Sequence, residues 1–171
     1  MKLYLLLHGR KMDWETHVKE VSPGLLRYFS LHCNRTVAND LVQETLLRVV
    51  KHVYSGRFDS KLGTLRMYTY GVARFVRLEF FNSKSHREIP EAEIEVPQES
   101  NTQSRDSILT LRKLMSCLSE KEREVLSHIV TQDLSLSEIA QVTDVPLGTV
   151  KSHYSRAKTK MRNFSEQGGK P

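Results

Sequence analysis

The stretch Leu134-Ser-Leu-Ser-Glu-Ile-Ala-Gln-Val-Thr-Asp-Val-Pro-Leu-Gly-Thr-Val-Lys-Ser-His-Tyr-Ser-Arg-Ala157 reads as two short helices joined by a tight turn. Ser135 followed three residues later by Glu138 is a capping-box pattern, which satisfies orphan backbone donors and marks a helix start. Ile139, Ala140 and Val142 give that helix its buried side. Thr143-Asp-Val-Pro146 ends it, because proline disfavours helical geometry at the residue before it. A second helix is expected from near Leu147 to about Phe164.

Rotation by roughly 100° per residue separates the faces of that second helix. Val150, Tyr154, Ala157 and Met161 form a narrow apolar stripe. Thr149, Ser152, Ser155, Arg156 and Thr159 lie opposite, with Lys151 and Lys158 on one margin and His153 and Lys160 on the other. Small hydroxyls flanked by cations suit a DNA major groove, where hydroxyls and Arg156 reach base edges while lysines meet phosphates. A merely solvated surface helix is the plainer alternative, and the preceding helix and turn weigh against it.

Outside this stretch, 171 residues allow one domain or two small ones. The net charge of +6 favours a polyanionic partner without naming it. The 8 glycines and 5 prolines are too few for a turn-rich all-β chain. Cys33 and Cys117 lie far apart and lack metal-ligand spacing, so they read as buried or idle thiols in a reducing cytoplasm. The run Leu3-Tyr-Leu-Leu-Leu7 is too short for a signal-peptide core or a membrane span, leaving a frayed extension or a packed helical turn.

In the first half, apolar residues recur at helical spacing from Trp14 to Phe29, and Ser22-Pro-Gly24 is expected to split them into two helices. Asn34 or Thr36 can cap the next helix, whose Val42, Leu46, Val49 and Val53 form a buried stripe. Asp40, Gln43, Glu44, Arg48 and Lys51 fall outside it, where ordinary solvation would account for them. Phe58-Asp-Ser-Lys-Leu-Gly63 is a loop, and Thr64 is a fair cap for a long helix to about Asn82. One face of that helix carries Leu65, Tyr68, Val72 and Val76; the other gathers Arg66, Tyr70, Arg74, Arg77, Phe81 and Lys84. Cations interleaved with aromatics suit single-stranded nucleic acid, since bases stack on rings while cations track phosphates. The alternative is that Tyr70 and Phe81 pack against a neighbouring helix and the arginines merely solvate.

Composition changes after Ser85. Arg87 to Glu99 carries glutamates at 88, 91, 93, 95 and 99 with two prolines and no helical stripe, and reads as a flexible acidic tether able to shield a basic surface. Beyond it, Ile108, Leu111, Leu114, Met115 and Leu118 form an amphipathic helix. Ser119 and Glu122 offer a second capping box, opening a helix with Val125, Leu126, Ile129 and Val130. The expected architecture is all-α: a helical domain over residues 1–85, a linker over 86–106, and a helix-turn-helix domain over 107–171.

Two blocks of this chain resemble one family. Asp40-Leu-Val-Gln-Glu-Thr-Leu-Leu-Arg48, Phe58-Asp59 and Gly63-Thr-Leu-Arg66 resemble region two of bacterial sigma factors; Leu118-Ser-Glu-Lys-Glu-Arg-Glu-Val-Leu126 and Pro146-Leu-Gly-Thr-Val-Lys-Ser152 resemble region four. With only a tether between them, the arrangement is similar to the extracytoplasmic-function group. The resemblance spans about residues 20–162. It implies that Asp40, Leu41, Gln43, Glu44 and Arg48 dock on the β′ clamp helices of core RNA polymerase, with the β subunit a further contact. It implies that Phe58, Asp59, Lys61, Thr64, Arg66, Tyr68, Tyr70, Arg74 and Arg77 serve capture and melting of a promoter −10 element. It implies a −35 contact set of Thr149, Lys151, Ser152, His153, Ser155, Arg156 and Lys158. Promoter DNA and an anti-sigma factor are the other implied partners; no cofactor, catalytic residue, metal site or membrane insertion is implied, and the location is cytoplasmic. The chain departs from the family at Asp144, where glycine is usual at the turn, and at His153, where arginine is common. Tyr68 replaces a usual tryptophan, and Gly71 interrupts a usually bulkier stretch.

A response regulator of the LuxR type would also suit Glu124-Val-Leu126 and Thr149-Val-Lys-Ser-His153, but requires an upstream domain with α/β alternation, whereas residues 1–85 read as helices. An enzyme would need a phosphate loop, a zinc motif or a nucleophile elbow, and none stands out.

Overall fold

Side-chain caps set where the helices begin. In the computed structural model, which describes residues 4–7, 10–83 and 110–166, α1 spans Trp14–Ser30, α2 Arg35–Tyr54 and α3 Leu65–Asn82. Their N-caps are Asp13, Asn34 and Thr64, each accepting from a backbone N–H two or three residues on. Residues 110–115 are helical (α4). They are followed by α5 (Glu120–Gln132), α6 (Leu136–Thr143) and α7 (Leu147–Glu166). Both expected capping boxes are present, Ser119 with Glu122 and Ser135 with Glu138. The expected tether lies outside the described residues.

The architecture is helical, with one addition at its start. Tyr4–Leu7 (β1) and Arg10–Asp13 (β2) pair antiparallel, Tyr4 opposite Asp13 and Leu7 opposite Arg10, in a small ribbon leading into α1. This replaces the frayed or helical reading of the Leu3–Leu7 run. Four-residue strands are too short for alternation to declare itself.

A second correction concerns α1, which runs unbroken through Pro23. Mid-helix proline removes one ladder hydrogen bond. Here Val21, Leu25, Tyr28 and Phe29 are all fully buried on one side while Pro23 faces solvent, so packing outweighs the local cost. Gly24 has its own reason. A Cβ there would stand 2.9 Å from the Tyr70 hydroxyl and 3.1 Å from the Thr131 carbonyl. Its bare backbone is what lets α1 lie against α3 and α5.

The two helical sets share one core. Val125, Leu134, Ile139 and Val150 belong to the same apolar cluster as Val21, Leu25, Phe29, Val49 and Val76. A smaller cluster joins Leu31 of the first set to Met115, Leu118, Leu126 and Ala157. Arg112 of α4 reinforces the join by donating to the carbonyls of Ser30, the last residue of α1, and of Cys33 in the turn that follows.

The helix-turn-helix closes at Asp144, whose φ of 54° and ψ of 42° are left-handed. Aspartate tolerates this geometry better than most side chains, which suits Asp144 to a turn position where glycine is usual. Asp133 ends α5 in the same way.

Candidate nucleic-acid interface

Helix α7 projects the side chains that its periodicity sorts. Val150 and Ala157 are fully buried, and Tyr154 and Met161 are half-buried beside them. Thr149, Lys151, Ser152, Ser155, Arg156 and Lys158 are exposed, and His153 is partly so. Arg156 is not a free cation. Its Nη2 lies 3.0 Å from His153 Nδ1, and its Nε lies 3.6 Å from a carboxylate oxygen of Glu122 on α5. Lys158 stands over the Tyr154 ring at 5.3 Å.

On α2, Asp40 and Gln43 are exposed and Glu44 and Arg48 partly so. Leu41 instead packs in the core at 7% exposure, so the outward surface is made by its polar neighbours. Arg48 links two helices: its Nε donates to Glu44 at 2.6 Å and its Nη1 to Glu79 of α3 at 2.5 Å.

The basic and aromatic face of α3 is where the structure departs most from the sequence. It is covered by α5. Tyr70 is buried at 2% exposure, and Arg77 at 7%. Arg74 Nε and Arg77 Nη2 donate to the same oxygen of Glu124 at 2.8 and 3.0 Å, and Arg77 Nε donates to the Tyr28 hydroxyl at 2.8 Å. Arg66 donates to the Gln132 carbonyl at 2.5 Å, and Arg27 to the Thr131 carbonyl at 3.1 Å. The packing alternative therefore describes Tyr70 here. Rotation arithmetic divides a helix into faces without saying which neighbour covers each.

The interface also holds two histidines, His128 fully buried and His32 half-buried. His128 stacks on Tyr28 at 5.2 Å, and its Nδ1 lies 2.6 Å from Gln132 Oε1. Burial pushes its pKa down to about 4, against Gln132 and Glu124, which favour the cation, with Arg77 and Arg74 opposing it. His32 lies well below the ordinary value, by burial first and then by Arg77, Arg123, His128 and Arg112. Both rings thus bind protons more weakly when the interface is closed. Closure is at full strength above pH ~6.5, the free histidine value, and weakens as pH falls towards 4. A FRET pair placed on α3 and α5 should report separation over that window, and His128→Phe should remove much of the pH dependence.

The open side of α3 is elsewhere. A cleft of about 330 Å³ lies between the loop before α3, the α3 residues Met67, Tyr68, Gly71 and Phe75, and Gln141 and Val142 of α6. Asp59 organises the loop by accepting from the Lys61 N–H at 2.9 Å, and Lys61 itself is exposed. Thr64 caps α3, accepting from the Met67 N–H. Phe58 is buried beneath the loop, edge-on to Tyr68 at 5.1 Å, and Tyr68 Oη lies 2.9 Å from His52 Nδ1. Phe75 and Leu62 are exposed apolar residues here, at 57% and 82%. Periodicity passed over both; the signal available was bulky apolar side chains beside the small Gly71.

Residues 108–161 match the family model described as sigma-70, region 4. The chain carries a sigma-70 region 4 domain. The RNA polymerase sigma-E factor of Streptomyces avermitilis is 25% identical to this chain over 163 residues, covering 94% of this chain and 89% of that one. Two solved structures share its fold. CnrH in complex with the cytosolic domain of CnrY has a TM-score of 0.71 at 16% identity, covering 90% of this chain and 88% of that one. The sigma factor RpoE of Bartonella quintana, in complex with the anti-sigma factor NepR, has a TM-score of 0.67 at 21% identity, covering 90% and 96%. Among the described residues, no helix is long and apolar enough to cross a membrane.

Proposed function

We propose that this sigma factor binds core RNA polymerase and directs it to promoters in the cytoplasm, using α7 for the −35 element and the α3 region for the −10 element. The observation that carries the reading is α7 itself: a helix seated by a buried stripe, with its hydroxyls, Arg156 and lysines turned outward behind a capped helix and turn. Such a helix enters a major groove, where side chains near its start meet base edges. The bonds formed in transcription are the polymerase's chemistry; the sigma factor supplies placement. Purified protein with core polymerase on a genomic promoter library should give run-off transcripts from a distinct promoter set, and absence of promoter-specific transcripts would overturn the reading.

Within this reading, Arg156→Ala should cost about 1–3 kcal/mol of discrimination at one −35 position. Equal loss on every sequence would make it a phosphate contact. The outer face of α2 is the proposed polymerase surface, so Asp40→Ala and Glu44→Ala should each weaken polymerase binding while leaving the helical circular dichroism unchanged. Unaltered affinity would remove α2 from the docking surface.

The cleft beside the Phe58–Thr64 loop is the proposed receptor for an unstacked −10 base. Its volume falls at the small end of ordinary ligand sites, and Tyr68 and Phe75 offer rings to stack on. Arg66, Arg74 and Arg77 would serve the same strand only after α3 and α5 separate, because those groups are now engaged. An anti-sigma factor is a further proposed partner, as NepR is of the Bartonella quintana protein.

A further inference from the structure

Glu122 is bound twice over. As the third residue of α5 its carboxylate accepts from the Ser119 backbone N–H at 2.9 Å, completing a capping box. The same carboxylate receives Lys160 Nζ at 2.8 Å and lies 3.6 Å from Arg156 Nε, both on α7. Its side chain is only 4% exposed, whereas those of Arg156 and Lys160 are 58% and 46% exposed. An anchored anion therefore faces two exposed cations at the margin of the reading helix. Burial works to raise the Glu122 pKa, but hydrogen bonds from Lys160 and Ser119 hold it at about 2, so the charge is present throughout the working pH range.

We infer that Glu122 is a positioning residue for −35 readout: it fixes the Nε edge of Arg156 from behind and keeps Lys160 off the DNA phosphates. His153 Nδ1 holds the guanidinium from a second side, at Nη2. A guanidinium held at two edges has fewer orientations to lose on meeting a base, which favours discrimination over general adhesion. Lys160, with its charge already met, adds little to sequence-independent attraction. The inference rests on the reading of α7 as the −35 helix.

The test uses the sigma factor assembled with core polymerase. Binding is measured to duplexes that carry the preferred −35 sequence, single-base variants of it, or unrelated sequence. Glu122→Gln removes the charge while leaving a residue that still suits a capping box. It should lower discrimination at the Arg156 position about five- to tenfold, within the range a good base contact supplies. It should also tighten binding to unrelated DNA and steepen the salt dependence by about one phosphate contact, from released Lys160. Ser119→Ala weakens the cap but spares the carboxylate, and should leave discrimination intact. If Glu122→Gln weakens preferred and unrelated DNA alike, and Ser119→Ala does the same, Glu122 is a helix cap and the inference falls. If Arg156→Ala changes discrimination while Glu122→Gln does not, the inference falls and the −35 reading stands. If Arg156→Ala also leaves base preference untouched, the −35 reading itself fails.

Discussion

Replacing Glu124 with alanine is expected to separate α3 from α5 and to raise affinity for single-stranded −10 DNA. One carboxylate oxygen serves both Arg74 and Arg77, whose side chains are 19% and 8% exposed. Removing it strands two cations in a poorly hydrated interface, and losing one partner of a buried pair costs about 3–5 kcal/mol. Opening also releases Arg66 from the Gln132 carbonyl and uncovers Tyr70. The gain in affinity is bounded by how rarely the interface is open beforehand, because apparent affinity scales with the competent fraction. A protein closed nine times in ten would gain about tenfold. Fluorescence anisotropy with a labelled non-template strand reads the affinity, and a FRET pair on α3 and α5 reads the separation. Unchanged distance would show that Glu124 does not hold the interface.

Gly24→Leu should reach the same open state by the opposite physics. The added Cβ meets the Tyr70 hydroxyl at 2.9 Å and the Thr131 carbonyl at 3.1 Å. Neither can step aside cheaply, since Tyr70 is buried and the carbonyl is backbone. Leucine favours an α-helix over glycine by about 1 kcal/mol at most, so α1 itself should hold or tighten while its contact with α5 fails. Helical circular dichroism should therefore stay level while the FRET distance grows. Single-stranded DNA affinity should rise as it does for Glu124→Ala. If both variants open the interface and neither binds the strand better, the covered face of α3 is not a DNA surface.

What could be read in advance follows from how local each signal is. Asn34, Thr64, Ser119 and Ser135 act on backbone groups within three residues, so the helix starts were legible from short windows. The buried stripe of α7 obeys a period set by one helix alone, and the outward residues follow from it. Pro23 misled because the penalty is local and the compensation, burial of Val21, Leu25 and Phe29, is not. The α3 face left two readings open, a stacking surface or a packed one, because its cover comes from Glu124 and Gln132 more than 45 positions away. The cleft, likewise, needs α6 brought beside α3, which spacing along one helix does not encode.

The Glu44–Arg48–Glu79 chain gives the first helical set a means of conversation between its two proposed surfaces. Polymerase that takes Glu44 as a partner competes with Arg48 for it, leaving the guanidinium to Glu79 on α3. All three side chains are partly exposed, so each link is worth at most about 1 kcal/mol. Linkage then demands reciprocity: whatever factor docking lends to DNA engagement through α3, DNA must return to docking. Such a link multiplies either equilibrium by about fivefold at most. On the proposed function, a bias of that size favours polymerase with a promoter under it over polymerase without one, while leaving the protein free to depart.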